Sequence, residues 1–397
     1  MTRMHTTLRA IAGLTGGLSA ALFATGSFEQ TLAQGCVVVR GSSSCMIRPH
    51  GAALADDSHL MAGNWLASVS HRYLHSHRHF VGDVEQTQRQ LVQANEVINH
   101  SQFIDLGIQY AFTPRLSAAF TLPLVFSDRS QKAPTNYNAY RYETRASGIG
   151  DARLTGYVWL WDPAKMPKGN VQLGLGLKMP TGADDVTDSF PTVNGPIVRH
   201  VDQSIQPGDG GWGVGVELNA YREILPRTEV FLQASYLINP ENQNGTLTWR
   251  DNTTAVPGTV TATPSAASYY EHFQSIPDQY FARGGLNFLL VPSWGLSVSL
   301  AGRIEGVPVE DIIGDSDGFR RPGFAVAIDP GIQLARGRFT FNLNIPFALY
   351  RNRERSLADG QASAYRVPHP VAGQSTDVHG DAAFADYVVT TSISVRF

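Results

Sequence analysis

Residues 116–126 read Leu-Ser-Ala-Ala-Phe-Thr-Leu-Pro-Leu-Val-Phe, and this stretch decides the fold. Leu116, Ala118, Phe120, Leu122, Leu124 and Phe126 share one parity, while Ser117, Ala119, Thr121, Pro123 and Val125 share the other. Successive side chains of a strand point to opposite faces, so a period of two writes one apolar and one mixed face, where a helix would need 3.6. The same grammar recurs. Val171, Leu173, Leu175, Leu177 and Met179 oppose Gln172, Gly174, Gly176 and Lys178; Phe339, Phe341, Leu343, Ile345, Phe347 and Leu349 oppose Thr340, Asn342, Asn344 and Pro346. Tyr387, Val389, Thr391, Ile393, Val395 and Phe397 close the chain in the same way.

Working outward, such segments fall near 64–74, 101–112, 116–126, 148–161, 170–179, 211–222, 228–239, 279–290, 294–305, 323–335, 338–350 and 386–397. Each runs to about 10 to 13 residues, longer than an ordinary soluble strand and suited to a tilted strand that crosses a bilayer. Short connections at 113–115, 291–293 and 336–337 alternate with long ones at 75–100, 127–147, 180–210, 240–278, 306–322 and 351–385. That rhythm predicts an all-β fold: a transmembrane, antiparallel, up-and-down β-barrel of about 12 strands, with tight periplasmic turns and long outer loops. The long loops are rich in acids and amides, among them Asp184, Asp185, Asp188, Asn194, Asp202 and Asp209, and read as solvated.

A soluble β-sandwich also alternates, but its second face must meet water. Here that face is small and rich in Gly and Ser, and Trp65, Trp159, Trp161, Trp212 and Trp294 sit at strand ends as interface girdles do. Composition agrees. Of 397 residues only 16% are charged, against ~25% in soluble domains. The net charge of −3 comes without a basic block, so no nucleic-acid partner is expected.

The N-terminus reads as an export signal over 1–33, with Arg3 and Arg9 before an apolar run from Ile11 to Phe23 and small residues at Thr31-Leu32-Ala33. A periplasmic N-terminal segment at 34–62 then precedes the barrel at 63–397. The segment holds both cysteines. Cys36 and Cys45 flank Gly41 and three serines, and in an oxidising compartment they are expected to close a small disulfide loop.

Parity also nominates a lumen. With Ala152, Leu154 and Val158 toward lipid, Asp151, Arg153 and Thr155 face inward, joined by Lys178, Glu217, Asn219, Gln233, Arg283, Asn287, Arg303, Asp329, Asn342 and Asn344. Arg153, Lys178, Glu217, Arg283, Arg303 and Asp329 are the pore-lining candidates. Their mixed signs suit neutral solutes rather than one class of ion. The alternative left open is that these groups pair with one another and plug a narrow barrel. A wet lumen further predicts that arginine is costly at Leu175 or Leu343 and milder at Gly174 or Asn344.

No catalytic, cofactor or metal site is expected. His71, His75, His77 and His79 recur with period two, so that three imidazoles could share a face toward Zn²⁺ or Cu²⁺. No carboxylate or cysteine completes the set locally, and the run reads as a His-rich loop tip. A barrel lipase needs His and Ser two apart on a strand, whereas His100 and Ser101 are adjacent and point to opposite faces.

Several segments together carry a resemblance. Gly148-Ile149-Gly150-Asp151, the run Gly174 to Gly182, Arg320-Arg321-Pro322-Gly323, Asp329-Pro330-Gly331, Tyr350-Arg351-Asn352-Arg353 and Gly380 to Tyr387 occur in this order over residues 100–397. They resemble the outer-membrane β-barrel proteins of the phenol-degradation meta-pathway, a MetA-like transporter family. The resemblance implies an outer-membrane channel or transporter of a Gram-negative-type bacterium, for small neutral, hydrophobic or aromatic compounds. Its partners would be outer-membrane lipid, the solute, and the barrel-assembly machinery, whose signal the C-terminal strand ending at Phe397 resembles. A structural or adhesive barrel without an open pore and a barrel enzyme are the other classes.

Overall fold

The computed structural model describes residues 60–133, 140–192, 194–248, 271–368 and 375–397. The export signal, Cys36 and Cys45 lie outside the described residues. The alternating segments form β1 (Trp65–Val81), β2 (Ile98–Ala111), β3 (Leu116–Lys132), β4 (Arg141–Ile149, resumed at Arg153–Trp159), β5 (Gly169–Lys178), β6 (Gly213–Leu225), β7 (Thr228–Ile238), β8 (Gln279–Val291), β9 (Leu296–Val307), β10 (Gly323–Arg336), β11 (Phe339–Asn344, resumed at Phe347–Arg353) and β12 (Ala382–Arg396). Each is antiparallel to its chain neighbours. β12 also pairs with β1, from Leu66 opposite Arg396 to Phe80 opposite Ala382, so the sheet closes and no edge is left unpaired.

All twelve expected segments coincide with strands, but their outer ends run further than the apolar alternation. β1 continues to Val81, β2 begins at Ile98, β3 continues to Lys132 and β4 begins at Arg141, inside stretches that read as loops. Pairing persists there without an apolar face: Asp128 and Ser130 point outward on β3 above Phe126. The His-rich run is therefore strand rather than loop tip.

The outward face carries a continuous apolar band, including Val69, Leu106, Ile108, Phe120, Leu154, Leu175, Val216, Leu286, Leu300, Ile332 and Ile393. From Leu116 to Phe126 the band on β3 covers about 33 Å of strand, or about 25 Å along the barrel normal at a tilt near 40°. Aromatic rings mark its rims. Trp65 lies 4.6 Å from Tyr110 near the short turns, and Phe347 lies 6.2 Å from Tyr387 toward the long loops. The tight turn at Pro292–Trp294 ends on Gly295 at φ +67°, where a Cβ would come within 1.9 Å of the Ala335 carbonyl oxygen, so only glycine fits.

Two interruptions are written by proline. Pro123 on β3 has no N–H to offer β4, and there β4 bulges through Gly150-Asp151-Ala152, with the Gly150 N–H donating to the Pro123 carbonyl at 2.8 Å. Ala152 accordingly sits buried in the bulge and not toward lipid, since one extra residue breaks the parity used to place it. β11 breaks at Ile345-Pro346 beside Pro330 of β10, where the Ile345 N–H still reaches the Pro330 carbonyl at 3.2 Å.

Candidate functional site: the lumen and its outer cap

All six candidates, Arg153, Lys178, Glu217, Arg283, Arg303 and Asp329, lie on the inward parity of their strands. Asp329 on β10 is fully buried between two guanidiniums, Arg283 of β8 at 3.5 Å and Arg303 of β9 at 3.6 Å, and it accepts from the Asn344 side chain at 3.2 Å. Arg303 also pairs with Glu305 at 2.6 Å. Across the lumen, Arg72 of β1 meets Asp105 of β2 at 3.5 Å, and the Tyr157 hydroxyl on β4 donates to Glu217 on β6 at 3.0 Å. Arg153 and Thr155 point inward beside Tyr157. Lys178 closes the outer end of β5 with its ammonium 2.5 Å from Asp209. Asn219, Gln233 and Asn342 are buried on the same face, with Asn342 joined to Gln333 and Ser392 by hydrogen bonds of 3.1 and 3.0 Å.

The charges therefore answer one another across strands instead of facing water, which is the arrangement the sequence left as an alternative to an open lumen. The expectation of a wet interior needs correcting at Gly174. A Cβ there would come within 2.8 Å of the Tyr157 ring and 3.0 Å of Glu217 Cβ, so this position is packed.

Aromatic rings on the inner face escaped the sequence reading. Phe103 of β2, Phe231 of β7 and Phe281 of β8 are buried, and each lies under a guanidinium: Arg72 at 4.3 Å, Arg283 at 5.1 Å and Arg303 at 5.4 Å from the respective centroids. The signal was present, since Phe231 stands between Glu229 and Gln233, and Phe281 between Gln279 and Arg283, on the polar parity.

Described loop residues pack into the outer mouth. Residues 201–211 fold inward, with Val201 and Ile205 wholly buried, and Pro207 packs against Gly148 and Gly150 of β4. Asp202, read from sequence as a solvated loop acid, is buried between Arg129 of β3 at 3.3 Å and Arg321 at 2.7 Å. Burial alone would push its carboxyl up, but the two guanidiniums outweigh that and hold it well below the usual carboxylate range. Asp209, another such acid, donates its backbone N–H to Asp151 at 3.0 Å while its carboxylate holds Lys178. From other loops, Arg320 pairs with Asp311 at 2.6 Å and Arg353 of β11 with Asp359 at 3.2 Å, the latter at the start of a helix, Leu357–Arg366, that Ser356 and Asp359 cap reciprocally. Asp381 joins His79 at 2.5 Å and Arg89; against the upward push of burial, these partners lower its carboxyl.

The chain shares the fold of an outer-membrane channel. One solved structure it is similar to is an outer-membrane channel from Pseudomonas putida F1, with 12% identity, 85% of this chain and 97% of that one covered, and a TM-score of 0.50. The P. putida toluene transporter TodX also aligns, with 12% identity, 88% and 92% coverage and a TM-score of 0.39. No family model matches the sequence, and no curated protein does.

Proposed function

We propose that the barrel is an outer-membrane channel or transporter for small neutral, hydrophobic or aromatic compounds, and that it is not an enzyme. The carrying observation is the set of three guanidinium-on-phenyl pairs, Arg72 over Phe103, Arg283 over Phe231 and Arg303 over Phe281, on the inner face. A neutral ring can exchange with a phenyl or guanidinium face while the ion pairs stay formed, whereas an ion would have to leave its hydration among charges already satisfied. The fold shared with the P. putida F1 outer-membrane channel, and the order of motifs that resembles the MetA-like group, accord with this reading. The export signal and the apolar outward band support an outer-membrane location. The final strand ending at Phe397 supports recognition by the barrel-assembly machinery.

A barrel without an open pore is a second reading, favoured by the packed cap around Asp202 and Lys178. The full chain in planar bilayers and in liposomes separates the two. The channel reading expects low ionic conductance together with toluene entry faster than through lipid alone, and slower entry when Phe231→Ala removes one ring. Equal toluene entry with and without the protein would leave the structural barrel.

A further inference from the structure

The outward face of the barrel carries a second cluster, unrelated to the lumen. His75 and His77 lie two apart on β1, so they share the outer face, and His100 is the direct cross-strand partner of His75 on β2. The rings of His75 and His77 are 4.6 Å apart between centroids, and those of His75 and His100 are also 4.6 Å apart. Carboxylates from the two flanking strands frame the set: Asp128 of β3 is 3.0 Å from Nδ1 of His100, and Asp386 of β12 is 3.9 Å from Nε2 of His77.

The four-histidine pattern of the sequence is thus redistributed. His79 turns inward to Asp381, and His71 sits lower on the strand against Gln102 at 3.3 Å. Pairing with β2 supplies the third imidazole, and pairing of β2 with β3 supplies the carboxylate that no local sequence contained.

We propose that His75, His77 and His100 bind a Zn²⁺-class dication on the outer surface of the barrel, with Asp128 orienting His100. Two imidazoles at i and i+2 with a third directly across the sheet offer three donors to one tetrahedral ion and leave its fourth position open to water. Imidazole suits Zn²⁺, Cu²⁺, Ni²⁺ and Co²⁺ and disfavours Ca²⁺ and Mg²⁺. Asp128 takes the part of the carboxylate that fixes a ligand's ring and raises its basicity. In the structure the rings stand face to face, and among the described residues no three such donors are placed to hold a metal ion as they stand. Binding therefore requires rotation of the three side chains out of their stack, which their part-exposed position allows. The level is right for access, since Tyr73 and Phe126, each two residues nearer the membrane centre, end the apolar band just below.

The test uses the full chain without an affinity tag, in detergent. Co²⁺ should give the intense visible bands of a tetrahedral site at one equivalent, displaced by Zn²⁺. His75→Gln or His100→Gln should abolish those bands, Asp128→Asn should weaken binding by about tenfold, and His71→Gln should leave it unchanged. On the wild-type chain, which needs no variant to fold, Zn²⁺ should shield His75, His77 and His100 from acylation by diethyl pyrocarbonate while His71 stays reactive. Only octahedral Co²⁺, or tetrahedral bands that survive both His75→Gln and His100→Gln, would overturn the site. Neither outcome bears on solute passage, which depends on the opposite face.

Discussion

Gly174 and Leu175 are neighbours on one strand and live in different solvents. Leu175 is 64% exposed on the outward face, where only lipid would welcome it, while Gly174 is pressed against Tyr157 and Glu217. The whole barrel repeats this contrast. Its outer face is apolar and open, and its inner face is polar and enclosed by its own side chains. A polar parity in a barrel strand therefore reports which side a residue faces and not how much water it meets. Buried charges need partners, and here Asp329, Glu305, Asp105 and Glu217 find theirs in neighbouring side chains of the wall.

The largest effect that would break this comparison is expected at the glycine. Gly174→Arg should prevent assembly, because its first side-chain carbon already collides, whereas Leu175→Arg should still fold at a cost of ~2 to 4 kcal/mol. Folding into lipid vesicles followed by denaturant titration measures both, and a smaller loss at Gly174 would mean a wet interior after all. Asp329→Ala comes next. It takes away the carboxylate that Arg283 and Arg303 share, leaving Arg303 with Glu305, and breaking a buried pair in this way costs ~3 to 5 kcal/mol. Unfolding of the variant in the same vesicles at loss below ~1 kcal/mol would show that water replaces the carboxylate.

A subtler effect concerns the cap. The Asp202 carboxyl titrates below its unfolded value of ~4, so its contribution is complete above that pH and is lost only as pH falls through the lower folded value. Conductance and proteolysis of residues 201–211 should therefore be flat from neutral to mildly acidic pH and rise only in strong acid. In Asp202→Asn the acid step should shrink and the neutral-pH baseline should rise; an unchanged acid step would assign cap closure to other groups. The smallest perturbation is an epitope tag. Placed in the hairpin Thr187–Thr192/Gly195–His200 it should be reached by antibody on intact cells, and placed at residues 337–338 it should not. The reverse pattern would invert the barrel in its membrane.

How much of this was legible beforehand differs between wall and interior. Alternation alone reveals twelve strands, their closure into an even-numbered barrel and the inward parity of Arg153, Lys178, Glu217, Arg283, Arg303 and Asp329, because side-chain direction in a strand is a local property with period two. The prolines at 123 and 346, read from the alternation as ordinary strand positions, turn out to stand where the wall breaks, and the extra residue that buries Ala152 shows only in the register. Partnership is a different matter. That Asp329 sits between Arg283 and Arg303, that Asp202 leaves its loop to bridge Arg129 and Arg321, and that His100 joins His75 and His77 depend on which strands lie side by side and how far each has slid along its neighbour. Those are long-range facts: the groups involved stand 23 to 119 residues apart and meet only once their strands and loops have come together. The sequence by itself determined which way most side chains of the wall point; the tertiary structure decided what they find there and, at the bulge beside Ala152 and at His79, which way they turn.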